Sequence, residues 1–143
     1  MIHEAVTTLA NFPIQTLPGL SAPQAQALAD LGLTTTEHLR RQGQSAAQRQ
    51  TLAKTLAVPE RYIAKWVILA DLARLPSVGC TYNGLLLHAG VVSVAQLANS
   101  APPTLYTQIK RLHVKTMQRA DLCPSPDQVS TWIQQAKQLQ GRR

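Results

Sequence analysis

Apolar side chains recur along most of the chain at the spacing of an α-helix. After Ser-Pro-Asp at 125–127, they fall at Val129, Trp132, Ile133, Ala136 and Leu139. The intervals i, i+3, i+4, i+7 and i+10 place these side chains on one face of a helix. This stripe predicts a final helix that docks on a hydrophobic core.

Proline and glycine interrupt the pattern at regular intervals, and the segments between them are about 8–16 residues long, the ordinary length of a helix. Residues typical of helix N-caps stand at these boundaries: Ser21, Thr34 or Thr35, Ser93 and Ser125. Helices are predicted from Pro59 through Leu75, over 94–100 and over 104–112. Because β-branched runs are short, we predict an all-α fold of about ten short helices packed as one compact body.

A similar pattern occurs twice, 58 residues apart. Aligned without a gap, residues 17–39 and 75–97 are identical at 5 of 23 positions, which hold a proline, a glycine and three leucines. Trp66 and Trp132 form a further pair, 66 residues apart, so the second copy has 8 extra residues, 66 minus 58. We therefore predict two related halves, 1–72 and 73–140, followed by a tail at 141–143.

The charge is strongly basic and uneven. The net charge is +7, from 14 basic and 7 acidic residues; residues 1–70 carry +2 and residues 71–143 carry +5. Such a skew favours a polyanionic partner, either nucleic acid or an acidic protein surface. No acidic residue lies within 110–119, which holds four cations: Lys110, Arg111, Lys115 and Arg119.

We call these four residues the basic ridge. In a helix, Arg111, Lys115 and Arg119 align at i, i+4 and i+8. The ridge is our candidate surface for nucleic acid or an acidic protein. A run of this kind is equally typical of a helix face that only contacts solvent.

Two stretches have the pattern of a tight turn between helices. The first hairpin, residues 17–21, is L-P-G-L-S, and the second hairpin, residues 75–79, is L-P-S-V-G. A helix ending in L-P-x-hydrophobic-G, a second helix, then G-hydrophobic-x-[ST] and a third helix resembles the helix-hairpin-helix motif. Each hairpin keeps one of the motif's two glycines. The residues in the turns are Pro18, Gly19 and Leu20, and Pro76, Val78 and Gly79; Leu20 and Val78 are predicted to be buried.

In nucleic-acid-binding members of this motif, the free amides of the hairpin face a phosphate. A cation normally lies close to such a phosphate. Residues 17–24 and 75–83 contain no Lys or Arg. The sequence therefore predicts no cation beside the amides of either hairpin, and it favours the basic ridge as the contact.

Residues 73–140 are similar to the domain-of-unknown-function 4332 family, which is built from helix-hairpin-helix units. The similarity lies in L-P-S-V-G at 75–79, L-L at 85–86, A-G-V at 89–91 and the closing helix at 126–139. It is looser over residues 15–72. The resemblance implies an all-α fold and transfers no catalytic residues, because the family is not known to have any.

The pattern of reactive residues indicates no enzyme. The acidic residues stand singly, the histidines are scattered, and Cys80 and Cys123, 43 residues apart, form neither a disulfide framework nor a metal motif. Cys80 opens a predicted helix, where the dipole lowers a thiol pKa, but no base accompanies it. We expect no catalytic residue, metal, cofactor or small-molecule substrate.

Two functions remain as hypotheses. One is sequence-independent binding of nucleic acid through the basic ridge. The other is a protein–protein adaptor or assembly factor with a rigid scaffold, which accounts better for the missing hairpin glycines and cations. Fold alone does not separate them.

Trp66 and Trp132 are predicted core anchors rather than base-stacking platforms, and Tyr82 is the tyrosine to test for stacking.

The expected location is the cytoplasm. No apolar run approaches the roughly 20 residues of a membrane span. The opening sequence M-I-H-E has no basic segment followed by an apolar one, as a secretory signal has.

Overall fold

The computed structural model describes residues 9–117 and 123–141, and for 113–117 it describes the backbone alone. These residues form an all-α fold with eight α-helices, a short 3-10 helix and no strand. The 3-10 helix is Ile14–Thr16, and the α-helices are α1 Ala22–Asp30, α2 Thr36–Gln42, α3 Ala46–Leu56, α4 Glu60–Leu72, α5 Gly79–His88, α6 Val94–Ala98, α7 Pro102–Met117 and α8 Pro126–Gln140.

Hydroxyl side chains begin five of these helices. Each accepts a hydrogen bond from the backbone N–H three residues further on, at Ser21, Thr35, Ser45, Ser93 and Ser125. After Ser21, Ser45 and Ser125, a glutamine at that third position bonds back to the N–H of the cap residue, which completes a capping box. Of the two threonines considered for α2, Thr35 is the cap.

Several helices end at other residues than predicted, and α6, for example, ends at Ala98 rather than at 100. Helix α4 ends at Leu72 rather than Leu75, because the N–H groups of Arg74 and Leu75 bond to carbonyls three residues back, and a proline follows. Helix α7 continues to Met117, beyond the predicted end at 112. Helix α4, which precedes the second hairpin, is therefore shorter than predicted. Helix α7, which carries Lys110 and Arg111 of the basic ridge, is longer than predicted.

The first half is built around α4. Helices α2 and α3 pack against α4, and α1 packs against α3 and the 3-10 helix. Their inward side chains form a first hydrophobic core: Ile14, Leu17, Ala25, Leu28, Leu33, Leu39, Leu52, Ala53, Ile63, Trp66, Leu69 and Ala70. Trp66 is only 2% exposed, which confirms the predicted core anchor.

The second half is built around α8. Helices α6 and α7 pack against α8, and α5 packs against α7. The second core contains Leu72, Leu75, Val78, Leu86, Val91, Val94, Leu97, Ala98, Leu105, Ile109, Val129, Trp132, Ile133 and Ala136. Trp132 is 1% exposed, so this anchor is confirmed as well.

Helix α4 joins the two halves. Leu69 and Ala70 belong to the first core, and Leu72 belongs to the second. Helix α4 also packs against α5, where the fully buried Asn83 donates its Nδ2 to the carbonyl of Leu69 at 3.0 Å. The boundary between the halves is therefore a packed and hydrogen-bonded one.

Leu20 and Val78, the two hairpin residues predicted to be buried, differ in burial. Val78 is 1% exposed, as predicted. Leu20 is only half-buried at the margin of the first core, so that prediction is wrong. The difference follows from what covers each hairpin: α8 lies over the second, whereas Gly19 and Ser21 on either side of Leu20 are exposed.

Candidate nucleic-acid interface

The second hairpin is hydrogen-bonded within its own half. The N–H and the hydroxyl of Ser77 both donate to Oε1 of Gln135 on α8, at 3.3 and 2.7 Å. The N–H groups of Val78 and Gly79 donate to the carbonyl oxygen of Leu75, the first residue of the hairpin, at 3.0 and 2.9 Å. Each backbone donor of residues 77–79 thus has an intramolecular acceptor and is not available to a phosphate.

Gly79 in the second hairpin is a packing residue. It is buried and has a φ of +50°, in the left-handed region that favours glycine. A β-carbon at this position would lie 3.2 Å from Cζ of Phe12. Gly79 therefore allows the close approach of Phe12, while Pro76, three residues earlier, is exposed.

The first hairpin exposes its backbone. Gly19 is exposed with a φ of +86°, and Pro18 is half-buried. The N–H groups of Gly19 and Leu20 donate to no group in the part of the chain that the structure describes, while the N–H of Ser21 bonds to Gln24. Two adjacent backbone donors are thus open to an external acceptor.

A cation lies beside these two donors. A β-carbon at Gly19 would lie 3.7 Å from Nζ of Lys65 and 3.8 Å from its Cε. Lys65 is exposed and makes no ion pair or hydrogen bond with another described residue. The prediction that neither hairpin has a cation near its amides is therefore wrong for the first hairpin.

Sequence reasoning missed Lys65 because it lies 46 residues after Gly19 and on another element. The pairing of Trp66 with Trp132 was the signal that could have found it. In the second half, Trp132 on α8 bonds directly to the hairpin. Because the sequence alignment pairs Trp66 with Trp132, it predicts that Trp66 and its neighbour Lys65 lie on the helix that faces the first hairpin.

The first hairpin and Lys65 line a cleft of about 200 Å³. Helix α5 of the second half lines it as well, through Gly84, Leu87 and His88. Gly84 contributes no side chain to the cleft, and a β-carbon at this position would lie 4.0 Å from Cγ of Pro18. The cleft therefore needs both halves, with the hairpin amides and Lys65 from one and His88 from the other.

The basic ridge is only partly within the described residues. Lys110 and Arg111 are exposed on α7, and Arg111 lines an open groove with Thr104, Thr107 and Gln108. The side chain of Lys115 and the whole of Arg119 lie outside the described residues. The structure thus places Lys110 and Arg111 on the exposed surface of α7, and the alignment of all four cations stays a prediction.

Several other arginines are already paired with acids. Glu37 accepts hydrogen bonds from Arg40 at 2.7 and 2.9 Å and from Arg41 at 2.9 Å. The bond from Arg40 is the main reason why the pKa of Glu37 is lowered. Arg74 lies 3.4 Å from Asp71, and burial lowers the pKa of its guanidinium. These arginines are engaged by acids of the same chain, in contrast to Lys65.

Both cysteines are free thiols. Cys80 lies in the first turn of α5, with its Sγ 3.7 Å from Oγ1 of Thr16. Burial raises its pKa and outweighs the opposite effect of the Thr16 hydroxyl. The expected lowering of the pKa by the helix dipole is therefore wrong, because desolvation of the thiolate is the larger effect.

Tyr82 packs within the second half. Its ring centroid is 5.0 Å from that of Trp132, at an angle of 44°, and its hydroxyl accepts a hydrogen bond from Gln128 at 3.4 Å. The residue is half-buried and packs on the second core. Its ring is thus engaged by Trp132.

Across residues 9–117 and 123–141, no three His, Cys, Asp or Glu side chains are grouped as ligands of a metal ion would be. No helix of that same part is long and apolar enough to cross a membrane.

These features define an all-α protein with two hydrophobic cores and an exposed hairpin beside an unpaired lysine. The chain belongs to the family described as Domain of unknown function (DUF4332), whose model matches residues 18–139. This confirms the predicted family, and the match covers most of both halves rather than the second half alone. No curated protein and no solved structure matches the chain.

Proposed function

We propose that this protein is a non-enzymatic module that binds nucleic acid without sequence preference, with the first hairpin as a phosphate contact. The observation that carries the proposal is the unpaired N–H groups of Gly19 and Leu20 beside the unpaired ammonium of Lys65. A phosphodiester has two anionic oxygens that accept hydrogen bonds from such donors, and a neighbouring cation strengthens these bonds.

The net charge of +7 supports a polyanionic ligand rather than a single small anion. Lys110 and Arg111 expose two further cations on α7, and the proposal includes the whole basic ridge as a second contact. Bonds to phosphates fix position and carry no information about bases. Binding is therefore weak, independent of sequence and strongly reduced by salt.

The proposal also includes a duplicated helix-hairpin-helix fold, with units at 1–72 and 73–140. Equivalent backbone features 58 residues apart support it. Gly32 and Gly90 have φ values of +86° and +98°. After each glycine, the next residue donates its N–H to the carbonyl four residues before the glycine, at 3.0 Å in the first half and 2.9 Å in the second. The helix order α1–α4 also corresponds to α5–α8.

In this proposal the two hairpins have different roles. The second hairpin uses the N–H and the carbonyl of Ser77 to hold α8, so it serves the fold. The first hairpin has no such cover and serves the ligand. A location in the cytoplasm is part of the proposal, and the two free thiols support it.

A titration with duplex and single-stranded DNA and RNA across a range of salt concentrations tests the proposal. We expect the logarithm of the binding constant to fall linearly with the logarithm of salt concentration. Lys65→Gln should weaken binding to every sequence and reduce the magnitude of the slope by about one. The matched control is Lys54→Gln, the same change at an exposed site on α3.

Two results would contradict the proposal at different levels. If no nucleic acid binds even near about 50 mM salt, the assigned function is wrong. If binding occurs but Lys65→Gln and Lys54→Gln weaken it equally, the function stands and the hairpin contact is wrong.

The second candidate function is a protein–protein adaptor or assembly factor. Tyr62 favours it, because this residue is 40% exposed and the guanidinium of Arg61 lies 5.4 Å from the centre of its ring. Tyrosine and arginine are the residue types enriched where partner proteins bind tightly. Absence of nucleic-acid binding would make this pair the first surface to mutate.

A further inference from the structure

A small apolar cavity lies between α1, α3 and α4, near the first hairpin. It has a volume of about 200 Å³ and is lined by Pro23, Gln24, Ala27, Leu56, Val58 and Trp66. Pockets for drug-sized ligands measure roughly 300–1,000 Å³. The smaller volume and apolar walls suit a single flat ring system.

Two residues that line the cavity carry hydrogen-bond donors with no partner in the described part of the chain. The indole N–H of the almost fully buried Trp66 bonds to nothing there, although the indole of Trp132 donates to a carbonyl. The side-chain oxygen of Gln24 accepts from Ser21 at 2.9 Å, which leaves its amide NH2 unpaired.

These donors indicate the chemistry of the occupant. An aliphatic side chain from a partner protein would fill the apolar space but leave both donors unpaired, which is costly once water is excluded. A nucleobase has an apolar face as well as carbonyl and ring-nitrogen acceptors on its edge. It therefore matches both properties of the wall.

The cavity adjoins the proposed phosphate contact on two elements. On α4, Lys65 of the phosphate contact directly precedes Trp66 of the cavity. On the other side, Gly19 of the hairpin is followed four residues later by Pro23 of the cavity. A nucleotide whose phosphate binds at the hairpin thus has an apolar recess next to it for its base.

We infer that this cavity receives one nucleobase of a single-stranded nucleic acid whose phosphate binds at the first hairpin. The inference rests on the proposed function and names its ligand more closely. In a duplex the bases are paired and stacked, so they do not enter the cavity without being extruded. Single strands are therefore the preferred ligand.

A comparison of two ligands tests the inference on the unmodified protein. One is an oligothymidylate about 10 nucleotides long, within the usual site size of single-strand-binding folds. The other is an abasic oligomer with the same number of phosphates. We expect the abasic oligomer to bind on the order of ten-fold more weakly, which is within the range that one stacked base contributes.

A cavity-filling variant provides the second measurement. Ala27→Leu places a larger side chain in the cavity without changing charge, so it should lower the affinity for oligothymidylate to the abasic level and leave abasic binding unchanged. Ala22→Leu, at an exposed position of the same helix, should change neither affinity. Thermal melting shows whether each variant is folded, and the two-ligand comparison does not depend on either.

The outcomes separate the two ideas. Equal affinity of the unmodified protein for both oligomers overturns the nucleobase site and leaves the phosphate contact intact, because both ligands carry the same phosphates. A folded Ala27→Leu variant with unchanged oligothymidylate affinity also overturns the site. If neither oligomer binds, the proposed function fails, and the nucleobase site fails with it.

Discussion

Trp132 donates its indole N–H to the carbonyl oxygen of Ser77 at 3.1 Å and so joins the last helix to the second hairpin. The same serine donates to Gln135, one helical turn further along α8. Trp66, which pairs with Trp132 in the proposed duplication, has no such bond among the described residues. This relationship is what distinguishes the second hairpin from the first.

Replacing Trp132 with Ala should lower the free energy of unfolding by roughly 3–5 kcal/mol, because the side chain is 1% exposed and its loss leaves a large cavity. Trp132→Phe keeps most of the apolar volume and removes the bond to Ser77, so it should cost less. Urea unfolding measures both variants. An unchanged stability of Trp132→Ala would show that the side chain is not a core residue.

Gly79→Ala should destabilise the protein by about 1–3 kcal/mol, because an L-residue is strained at a φ of +50° and the added carbon meets Phe12. The control is Gly84→Ala within α5, where the nearest atom is 4.0 Å away. That change should stabilise by roughly 0.5–1 kcal/mol, since alanine favours a helix interior over glycine. If both variants shift the melting temperature in the same direction, the different roles assigned to Gly79 and Gly84 are wrong.

Neutralising the basic ridge by changing Lys110, Arg111, Lys115 and Arg119 to Gln should weaken nucleic-acid binding and flatten its salt dependence. Each lost phosphate contact lowers the magnitude of the salt slope by about one. Lys137→Gln, an exposed lysine on α8, is the control for loss of positive charge alone. If the four changes leave affinity and slope as they were, the ridge is a solvent-exposed helix face.

The stability of the protein should fall in acid partly through Glu37. Its pKa is lowered in the folded state, chiefly because Arg40 donates to its carboxylate. The folded state then binds this proton less tightly than the unfolded state. The stabilisation is present above the unfolded pKa and is lost as the pH falls through the lower, folded value.

Urea unfolding at a series of pH values measures this effect, and Glu37→Gln should reduce the loss of stability below the unfolded pKa. Arg40→Met removes the main cause of the shift and should reduce the acid-dependent loss similarly. If both variants keep the pH profile of the unmodified protein, the pair does not contribute to it.

Thiol titration of the unfolded, unreduced protein should find two reactive groups, since Cys80 and Cys123 are free. In the folded protein at neutral pH, Cys80 should react slowly, because burial raises its pKa and keeps it as a thiol. Detection of no thiol in the unfolded protein would indicate a disulfide, and a Cys80 that reacts faster than an exposed thiol would contradict the effect of burial.

The all-α fold, the two core anchors and the family could be predicted because local patterns determine them. Serine caps mark where helices begin, and the spacing of apolar residues places Trp66 and Trp132 in the cores. The helix end at Leu72 was missed because the last turn tightens before a proline, a change that depends on backbone geometry rather than periodicity.

The candidate interface was harder to predict, since it depends on contacts between residues distant in sequence. The charge run at 110–119 is visible in the sequence, whereas the position of Lys65 beside Gly19 arises from the packing of α4 against the hairpin. The direction of the Cys80 pKa shift likewise depends on how deeply the folded chain buries the thiol, which a helix start alone does not reveal.

Helix α4 has a mechanical consequence for the molecule as a whole. Its last turns contribute Leu69 to the first core and Leu72 to the second, and the carbonyl of Leu69 holds Asn83 of α5. Rotating one half against the other would bend a continuous helix and pull its side chains out of one core. We therefore expect the two halves to unfold as a single cooperative unit, in one transition rather than in sequence.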